Sequence, residues 1–451
     1  MIKKTVALAL SVSLVTTSAS AQQEPPQPPA DPSQVAWDIV SDLTTEIGPR
    51  LAGSPREAAA RDWAVERLTR LGFTNVRIEP FTLDGWVRGE ETARLTAPYP
   101  QTLAITALGT SASTGAKGIS GELVYFPTLA ALRAAPASAV RGKIAFIDHA
   151  MRASQDGSGY GPFGDARRSG PAVAAEKGAI ATVIRSAGTD NHRNPHTGAT
   201  NFTAPGKAVP AGAVSNPDAD LIAKIAAKAL PMHLALKLTG HPVGKLSSGN
   251  VVADLPGRDP TLAPILVACH LDSWDLATGA IDDGAGCAIV AAAALAAQNG
   301  GAPLRTIRVL WAGSEEPGGV GGDAYAAAHK GQPHALVMES DTGADKVWRV
   351  SFDLTEANGP LADRIVEALA PFGIVRGTSK ANGGTDVEPI AKAARSGVIG
   401  LNQDMTRYFD IHHSPDDTLD KVDRDGLAQN VAVWTTVLRI VANEPGSIAG
   451  M

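Results

Sequence analysis

Cysteine is scarce in this chain, which has only Cys269 and Cys287 among 451 residues. An even pair of thiols is weak evidence for a disulfide bond. Cys269 lies in an apolar strand, in which successive side chains point to opposite faces, so its side chain points away from that of His270. Cys287 lies at the start of an Ala-rich helix. We therefore expect two buried free thiols.

The chain also lacks an excess of basic residues over acidic ones, and it lacks long apolar runs. The formal net charge is -6, and lysine and arginine are scattered, which argues against a nucleic-acid binder. Beyond the N-terminus, no segment is expected to be long and apolar enough to cross a bilayer. What remains is an ordinary globular composition, 44% hydrophobic and 19% charged, at a length that suggests two domains.

The N-terminus "MIKKTVALALSVSLVTTSASAQ" has two lysines, an apolar stretch from 5 to 15 and small residues at 19–21. This three-part pattern predicts a secretory signal peptide over 1–21 and a periplasmic or secreted protein. The alternative, a membrane anchor, is disfavoured because the apolar run is too short. Residues 22–33 are Pro-rich and are interpreted as a leader.

The rest of the chain shows two different sequence patterns. Residues 118–246 alternate short strands with turns and are interpreted as an inserted domain, in which His192 and His196 are expected to be exposed loop histidines. Residues 34–117 and 247–445 form the predicted catalytic domain, an α/β fold whose largely parallel sheet is flanked by helices. Its predicted strands are Asn250–Leu255, Ile265–Cys269, Thr306–Trp311, Ala335–Met338 and Val398–Leu401, and its predicted helices include Ala285–Ala297, Gly321–Lys330, Pro360–Leu369 and Asp425–Val441.

Acids and histidines follow several of these strands, where the functional site of a parallel sheet lies. The residues concerned are His270 and Asp272, the turn acids Asp282 and Asp283, the neighbours Glu315 and Glu316, Asp341, and the pair His412 and His413. A solvated helix surface would be the ordinary place for adjacent glutamates, but these precede "PGGVGG", which cannot continue a helix. Buried acids need a positive partner, and no Lys or Arg is close in sequence.

The donor set favours two zinc ions, which accept imidazole and carboxylate ligands and share a bridging carboxylate. His270 and Asp341 can serve one metal, and Glu316 and His413 the other. Asp282 can bridge them, which leaves Glu315 as the general base. Asp272 can orient the His270 imidazole by a hydrogen bond, and Asp283 is interpreted as a turn residue only.

The stretches "HLDSWDLATGAIDDGAG", "SEEPGGVGG", "MESDTG" and "HHSPDDT" resemble the co-catalytic di-zinc exopeptidases related to bacterial leucyl aminopeptidase and glutamate carboxypeptidase. The resemblance implies five metal ligands, the general base Glu315, a phosphorylase/hydrolase-like catalytic fold, a protease-associated domain for the insert and a homodimer. His413 is the implied ligand rather than His412, because an acid, Asp417, follows it by four positions. In "NGGTDVEP", Asp386 resembles a substrate-side acid, although a plain turn acid is the alternative. The implied ligands are His270, Asp282, Glu316, Asp341 and His413.

Three functions fit this pattern. The first is an exported metallo-exopeptidase that acts on dipeptides or short peptides with a free N-terminus. The second is a receptor-like or binding module on the same fold without catalysis, which would not need the complete set of ligands and Glu315. The third, a one-zinc cyclising acyltransferase, would need fewer ligands.

Overall fold

The computed structural model describes residues 31–202 and 207–451, together with Met1. Apart from Met1, the predicted signal peptide and most of the predicted leader therefore lie outside the described residues.

Sixteen strands occur in the described residues and form two sheets. In chain order they are β1 Thr74–Val87, β2 Glu91–Ala97, β3 Gln101–Leu103, β4 Ile105–Ala107, β5 Ile119–Phe126, β6 Ile144–Ile147, β7 Ala181–Arg185, β8 Ala211–Val214, β9 Met232–Leu238, β10 His241–Leu255, β11 Ile265–His270, β12 Ile307–Ala312, β13 Leu336–Glu339, β14 Val347–Asp353, β15 Val375–Lys380 and β16 Gly397–Gln403.

The first sheet has the order β1-β10-β12-β11-β13-β16-β14-β15. Its central strands β12, β11, β13 and β16 run parallel, so their carboxyl ends meet at one edge. Antiparallel pairs flank this centre, β10 with β12 on one side and β14 with β16 on the other. The prediction of a largely parallel sheet flanked by helices is confirmed for the part of the sheet that carries the candidate site.

The second sheet has the order β3-β2-β9-β5-β6-β7-β8-β4. It draws on strands between Glu91 and Leu238, so it begins upstream of the predicted boundary at 118. Parallel pairing of β5, β6, β7 and β8 gives it an α/β character of its own. The division into a catalytic and an inserted protease-associated domain stays a prediction.

The helices agree closely with the predicted ones, and Ala285–Ala297 has the predicted bounds. Ser54 caps the second helix by accepting a hydrogen bond from the Glu57 backbone N–H at 3.1 Å, with Pro55 at the first helical position. In chain order the α-helices are α1 Pro32–Asp42, α2 Pro55–Arg70, α3 Leu129–Ala134, α4 Ala137–Val140, α5 Tyr160–Arg168, α6 Gly170–Glu176, α7 Asn216–Ala226, α8 Ala285–Ala297, α9 Val320–Ala328, α10 Gly359–Leu369, α11 Glu388–Ala394, α12 Tyr408–Ile411 and α13 Arg424–Val441. Short helical turns cover Leu43–Ile47, Ala280–Gly284, Glu356–Asn358, Ala370–Phe372 and Leu419–Lys421.

Helix α8 forms the centre of the core beneath the first sheet. It packs against α1, α13 and β11, and its alanines allow these elements to approach closely. By length and composition Ala280–Ala297 is apolar enough to cross a membrane, contrary to the expectation from the sequence. However, 94% of this stretch is buried inside the fold, as in a core helix of a globular protein.

The two cysteines form a disulfide bond, so the expectation of free thiols is wrong. The alternation argument was sound, because Cys269 does point away from the His270 side chain. That opposite face of β11 is the one that α8 covers, and the first turn of α8 carries Cys287. The bond therefore joins the strand before His270 to the helix after Asp282, with both cysteines fully buried.

Replacing both cysteines by alanine is expected to lower the free energy of unfolding by about 3 kcal/mol, because the bond closes a loop between residues 18 apart. Denaturant titration of the variant and the wild type measures the difference. Thiol counting in denaturant, with and without reductant, verifies the bond in the wild type. An unchanged unfolding midpoint would contradict a stabilising bond.

Candidate metal centre and its cavity

The predicted ligands meet at the carboxyl edge of the first sheet. His270 is the last residue of β11, Glu315 and Glu316 follow β12, and Asp341 follows β13. The loop after β16 leads into α12 and then to His413. Parallel strands thus bring together side chains that are far apart in sequence.

Asp282 lies at the centre of this cluster. Its Oδ1 is 3.0 Å from His270 Nε2, which is also 3.2 Å from Asp341 Oδ1. Its Oδ2 is 3.3 Å from His413 Nε2, which is 3.0 Å from Glu316 Oε2. One carboxylate therefore separates two groups, each with one imidazole and one further carboxylate.

The loop that carries Asp282 is held by two residues that the sequence did not single out for this task. Asp417 accepts hydrogen bonds from the backbone N–H of Ile281 at 2.6 Å and of Asp282 at 3.2 Å. The fully buried Arg50 donates to the carbonyls of Leu271, Thr278 and Gly279. No local pattern marks Arg50, because its partners lie more than 200 positions away.

Both histidines of the pair are buried near Asp282. Their rings stack with centroids 3.5 Å apart, and His412 Nε2 is 3.7 Å from Asp282 Oδ2. Only His413 also contacts Glu316. The geometry therefore favours His413 as the ligand, in line with the family resemblance.

Asp272 contacts both His270 and the two glutamates. The backbone carbonyl of Asp272 lies 3.0 Å from His270 Nδ1, whereas its carboxylate is 3.7 Å from that atom. The carboxylate instead accepts from the backbone N–H groups of Glu315 at 3.0 Å and Glu316 at 3.3 Å. Asp272 thus fixes both the imidazole and the two glutamates.

Asp283 points away from the two groups. Its carboxylate accepts from the backbone N–H of His270 at 3.1 Å and of Gly286 at 3.0 Å. It therefore anchors the start of α8, and the interpretation of Asp283 as a turn residue outside the ligand set agrees with these bonds.

Asp386 is fully buried and does not line the cavity described below, although its neighbours Asn382 and Thr385 do. Its backbone N–H and that of Val387 donate to Glu339 Oε2 at 2.9 and 3.0 Å. Neither oxygen of its carboxylate is hydrogen-bonded within the described chain. These contacts do not support a substrate contact by Asp386.

The cluster carries a surplus of buried negative charge. Burial alone would lower the pKa of His270. Interactions with the carboxylates of Asp272, Asp282 and Asp341 outweigh burial and raise that pKa well above its usual value. The pKa of His413 is likewise raised, against burial, by Glu316 and Asp282. Both imidazole positions therefore favour positive charge, which a divalent cation would supply.

Glu315 is set apart from the ligand-type residues. Burial raises the pKa of its carboxyl well above the usual value, and the like charges of Asp341 and Glu316 act in the same direction, against His270. Ser314, directly before it, has a φ of 62°, so the backbone turns sharply at this point. Glu315 lines the same cavity as Asp282, Glu316 and Asp341.

The cavity beside these residues has a volume of about 480 Å³, within the range of small-ligand sites. Residues from the regions of both sheets line it, since Arg167 and Arg168 at the end of α5 lie between β6 and β7 in the chain. Apart from the acids and His413, the lining consists of Tyr160, Arg167, Arg168, Ala199, Asn201, Pro317, Gly318, Thr342, Asn382, Thr385, Met405, Tyr408, Phe409 and His412.

Arg167 is a buried cation whose contacts in the described residues include no carboxylate. Its Nη1 lies 3.0 Å from His413 Nδ1 and 3.5 Å from the Thr197 carbonyl oxygen, and its Nε makes no hydrogen bond. Gly198, with a φ of 134°, leaves room for the guanidinium, because an added Cβ would lie 2.2 Å from Nη1. The sequence did not single out Arg167.

Comparisons with a family model, with related sequences and with solved structures all point to the same peptidase family. The model described as Peptidase family M28 matches residues 250–438, which include all five predicted ligands. Carboxypeptidase Q of Homo sapiens is 32% identical over 412 residues, which are 90% of this chain and 85% of the relative. The solved structure of a peptidase M28 precursor from Shewanella amazonensis is 41% identical, with a TM-score of 0.90 and coverage of 93% of this chain and 96% of that chain. A zinc aminopeptidase from Bacillus subtilis shares the fold at 18% identity, with a TM-score of 0.64 and coverage of 90% and 94%.

Proposed function

This chain belongs to peptidase family M28, and we propose on that premise that it is an exopeptidase that uses two zinc ions. The observation that carries the proposal is the position of Asp282, with one carboxylate oxygen in each of two imidazole-carboxylate groups. Its Oδ2 is buried without a hydrogen bond in the described chain, as expected of a ligand whose partner is a metal. The donors are nitrogen and oxygen only, which suits zinc in a catalytic site.

His270 and Asp341 would hold one ion, Glu316 and His413 the other, and Asp282 both. When bound, the two ions acidify the attacking water and polarise the scissile carbonyl. Glu315 accepts the proton of that water and delivers it to the leaving amine. Its backbone is fixed by Asp272, so the carboxylate keeps its place beside the ligands.

We further propose that the substrates are dipeptides or short peptides with a free C-terminal carboxylate, beside the free N-terminus predicted above. Arg167 supports this, because a buried guanidinium without an anionic partner lines the cavity next to the metal ligands. Arginine matches the geometry of a carboxylate with two parallel hydrogen bonds. The neighbouring Arg168 adds positive charge to the same wall.

The test is a panel of dipeptides with free or blocked termini, assayed with and without chelator. We expect cleavage of unblocked dipeptides, loss of activity with chelator, and a ten- to hundredfold lower kcat/KM after C-terminal amidation, roughly the value of a charge-assisted hydrogen bond. In Arg167→Gln the free and amidated dipeptides should be cleaved equally well. The measured quantity is the ratio of kcat/KM for the free and the amidated dipeptide within each variant. An effect of the substitution on His413 lowers both values alike and leaves this ratio unchanged.

Failure of these results would be informative. A metal-loaded protein that cleaves no peptide would favour the binding-module alternative. An undiminished preference of Arg167→Gln for the free carboxylate would exclude Arg167 as its binding group.

We also propose that the enzyme acts outside the cytoplasm, in the periplasm or after secretion. The predicted signal peptide and the buried disulfide bond support this, since disulfides persist in oxidising compartments.

A further inference from the structure

A loop of the second-sheet region, residues 189–197, lies against the turn that carries the histidine pair, residues 408–413. We call the first segment the 189–197 loop and the second the histidine turn. The contacts join backbone and side chains over a sequence distance of more than 200 residues. They are Thr189 N–H to the Phe409 carbonyl at 3.1 Å, Thr189 Oγ1 to Asp410 Oδ1 at 2.6 Å, His196 Nδ1 to the His412 carbonyl at 2.6 Å and Thr197 N–H to the His413 carbonyl at 2.9 Å.

His196 is the most constrained residue of the 189–197 loop. It is 1% exposed, so the expectation of an exposed loop histidine is wrong for His196. Its Nδ1 lies 2.6 Å from the His412 carbonyl oxygen, and its Nε2 lies 2.8 Å from Asp190 Oδ1. Both ring nitrogens are therefore engaged, and the ring cannot rotate without losing a contact.

Asp190 is itself fixed in place. Its carboxylate also accepts from the His192 backbone N–H at 2.8 Å and from Asn216 Nδ2 at 3.1 Å. Despite burial, the hydrogen bond and charge of His196 lower the pKa of Asp190. The Asp190–His196 pair is thus a rigid support beneath the His412 carbonyl.

The histidine turn needs such support because its backbone is unfavourable. His413 has a φ of 60°, a left-handed conformation that residues with a side chain seldom adopt. Its Nε2 faces Glu316 and Asp282, while its Nδ1 lies 3.3 Å from the Thr197 carbonyl. The same Nδ1 also lies 3.0 Å from Arg167 Nη1, which can only donate, so the backbone of the turn rather than donation from Nδ1 places the ring.

We propose that His196, held by Asp190, is a positioning residue for the metal centre. It fixes the His412 carbonyl, and so aims the Nε2 of His413 at the metal position shared with Glu316. The inference rests on the proposed two-zinc function. It extends that function by making the region of the second sheet a part of the metal centre rather than a passive insert.

The test is a titration of metal-free protein with Co²⁺, followed by its visible absorption, for the wild type, His196→Gln and the control His192→Gln. His192 is in the same loop, but its side chain is 60% exposed and pairs with Asp416 at the surface. In His196→Gln we expect one of the two bound ions to bind ten- to a hundredfold more weakly, as when the partner of a ligand is lost. The unfolding midpoint of the metal-free protein should stay near that of the wild type.

Steady-state assays give a second readout. His196→Gln should lower kcat with little change in KM, and excess zinc should restore the rate. His192→Gln should behave as the wild type. If His196→Gln does not fold, Asp190→Asn, which keeps the shape of the side chain, should show the same selective weakening.

The outcomes separate the two proposals. If the wild type binds two ions and His196→Gln binds both with unchanged affinity, the positioning role is overturned and the proposed function is not affected. Equal weakening of both ions in His196→Gln also overturns it, because a general loss of structure would have that effect. A wild type that binds fewer than two ions refutes the proposed function instead.

Discussion

Glu315→Gln is expected to lower kcat by about a hundred- to ten-thousandfold while the zinc content stays at the wild-type level. The amide keeps the size of the side chain but cannot accept a proton from water. Glu316→Gln should instead release one ion, because Glu316 Oε2 lies 3.0 Å from His413 Nε2 in the second group. Excess zinc should partly restore its activity.

The two variants are matched, since they alter adjacent residues by the same chemical change. Zinc content and turnover should be measured for both in parallel. If Glu315→Gln loses metal and Glu316→Gln keeps it, the assigned roles are reversed. If both remain fully active, the two-metal hydrolase is refuted.

Asp282→Asn is expected to lose both ions and to reduce activity to the background level. Its two oxygens serve both groups, and an amide offers only one oxygen that binds metal well. Unlike Glu316→Gln, this variant should not be rescued by excess zinc. Elemental analysis of protein purified without chelator provides the measurement, with two zinc per chain expected in the wild type.

Asp283→Asn is the control for Asp282→Asn. Asp283 is the next residue and is equally buried, but it hydrogen-bonds backbone N–H groups rather than facing either group. We expect it to keep both ions with some loss of stability. Retention of one tightly bound ion by Asp282→Asn would argue against a bridging carboxylate.

The sequence predicted five strands of the first sheet and the cluster at their ends because both depend on local patterns, whereas β1 and β14 were not predicted. An apolar run that ends in His270 or in Glu315 indicates a buried strand followed by functional groups, and parallel strands bring such ends together. Helix α8 was predicted with its bounds because its Ala-rich run starts after a Gly-rich turn. By contrast, β15 is an exposed polar edge strand, whose residues lack the alternation of a half-buried strand.

What the sequence did not predict depends on contacts between distant segments. Cys269 and Cys287 meet because α8 covers one particular face of β11. The hydrophobic periodicity of the sequence does not reveal which face a helix will cover. Arg50, Arg167 and His196 have ordinary local surroundings and gain their importance from partners more than 200 residues away. A residue in a stretch of turn formers that includes a glycine, such as His196, therefore resembles a surface residue until the fold is known.

The contact between the 189–197 loop and the histidine turn also bears on how this chain can evolve. Groups of the 189–197 loop hydrogen-bond to backbone carbonyls of the histidine turn. A change in the length or path of either segment would therefore leave polar groups of the other without their hydrogen-bond partners. Substitutions in these segments should therefore be inherited together among relatives. A chimera that exchanges the region of the second sheet between two relatives would need to carry the matching histidine turn with it. Deleting that region would remove the groups that contact the His412 and His413 carbonyls, so we expect a shortened chain to bind metal more weakly.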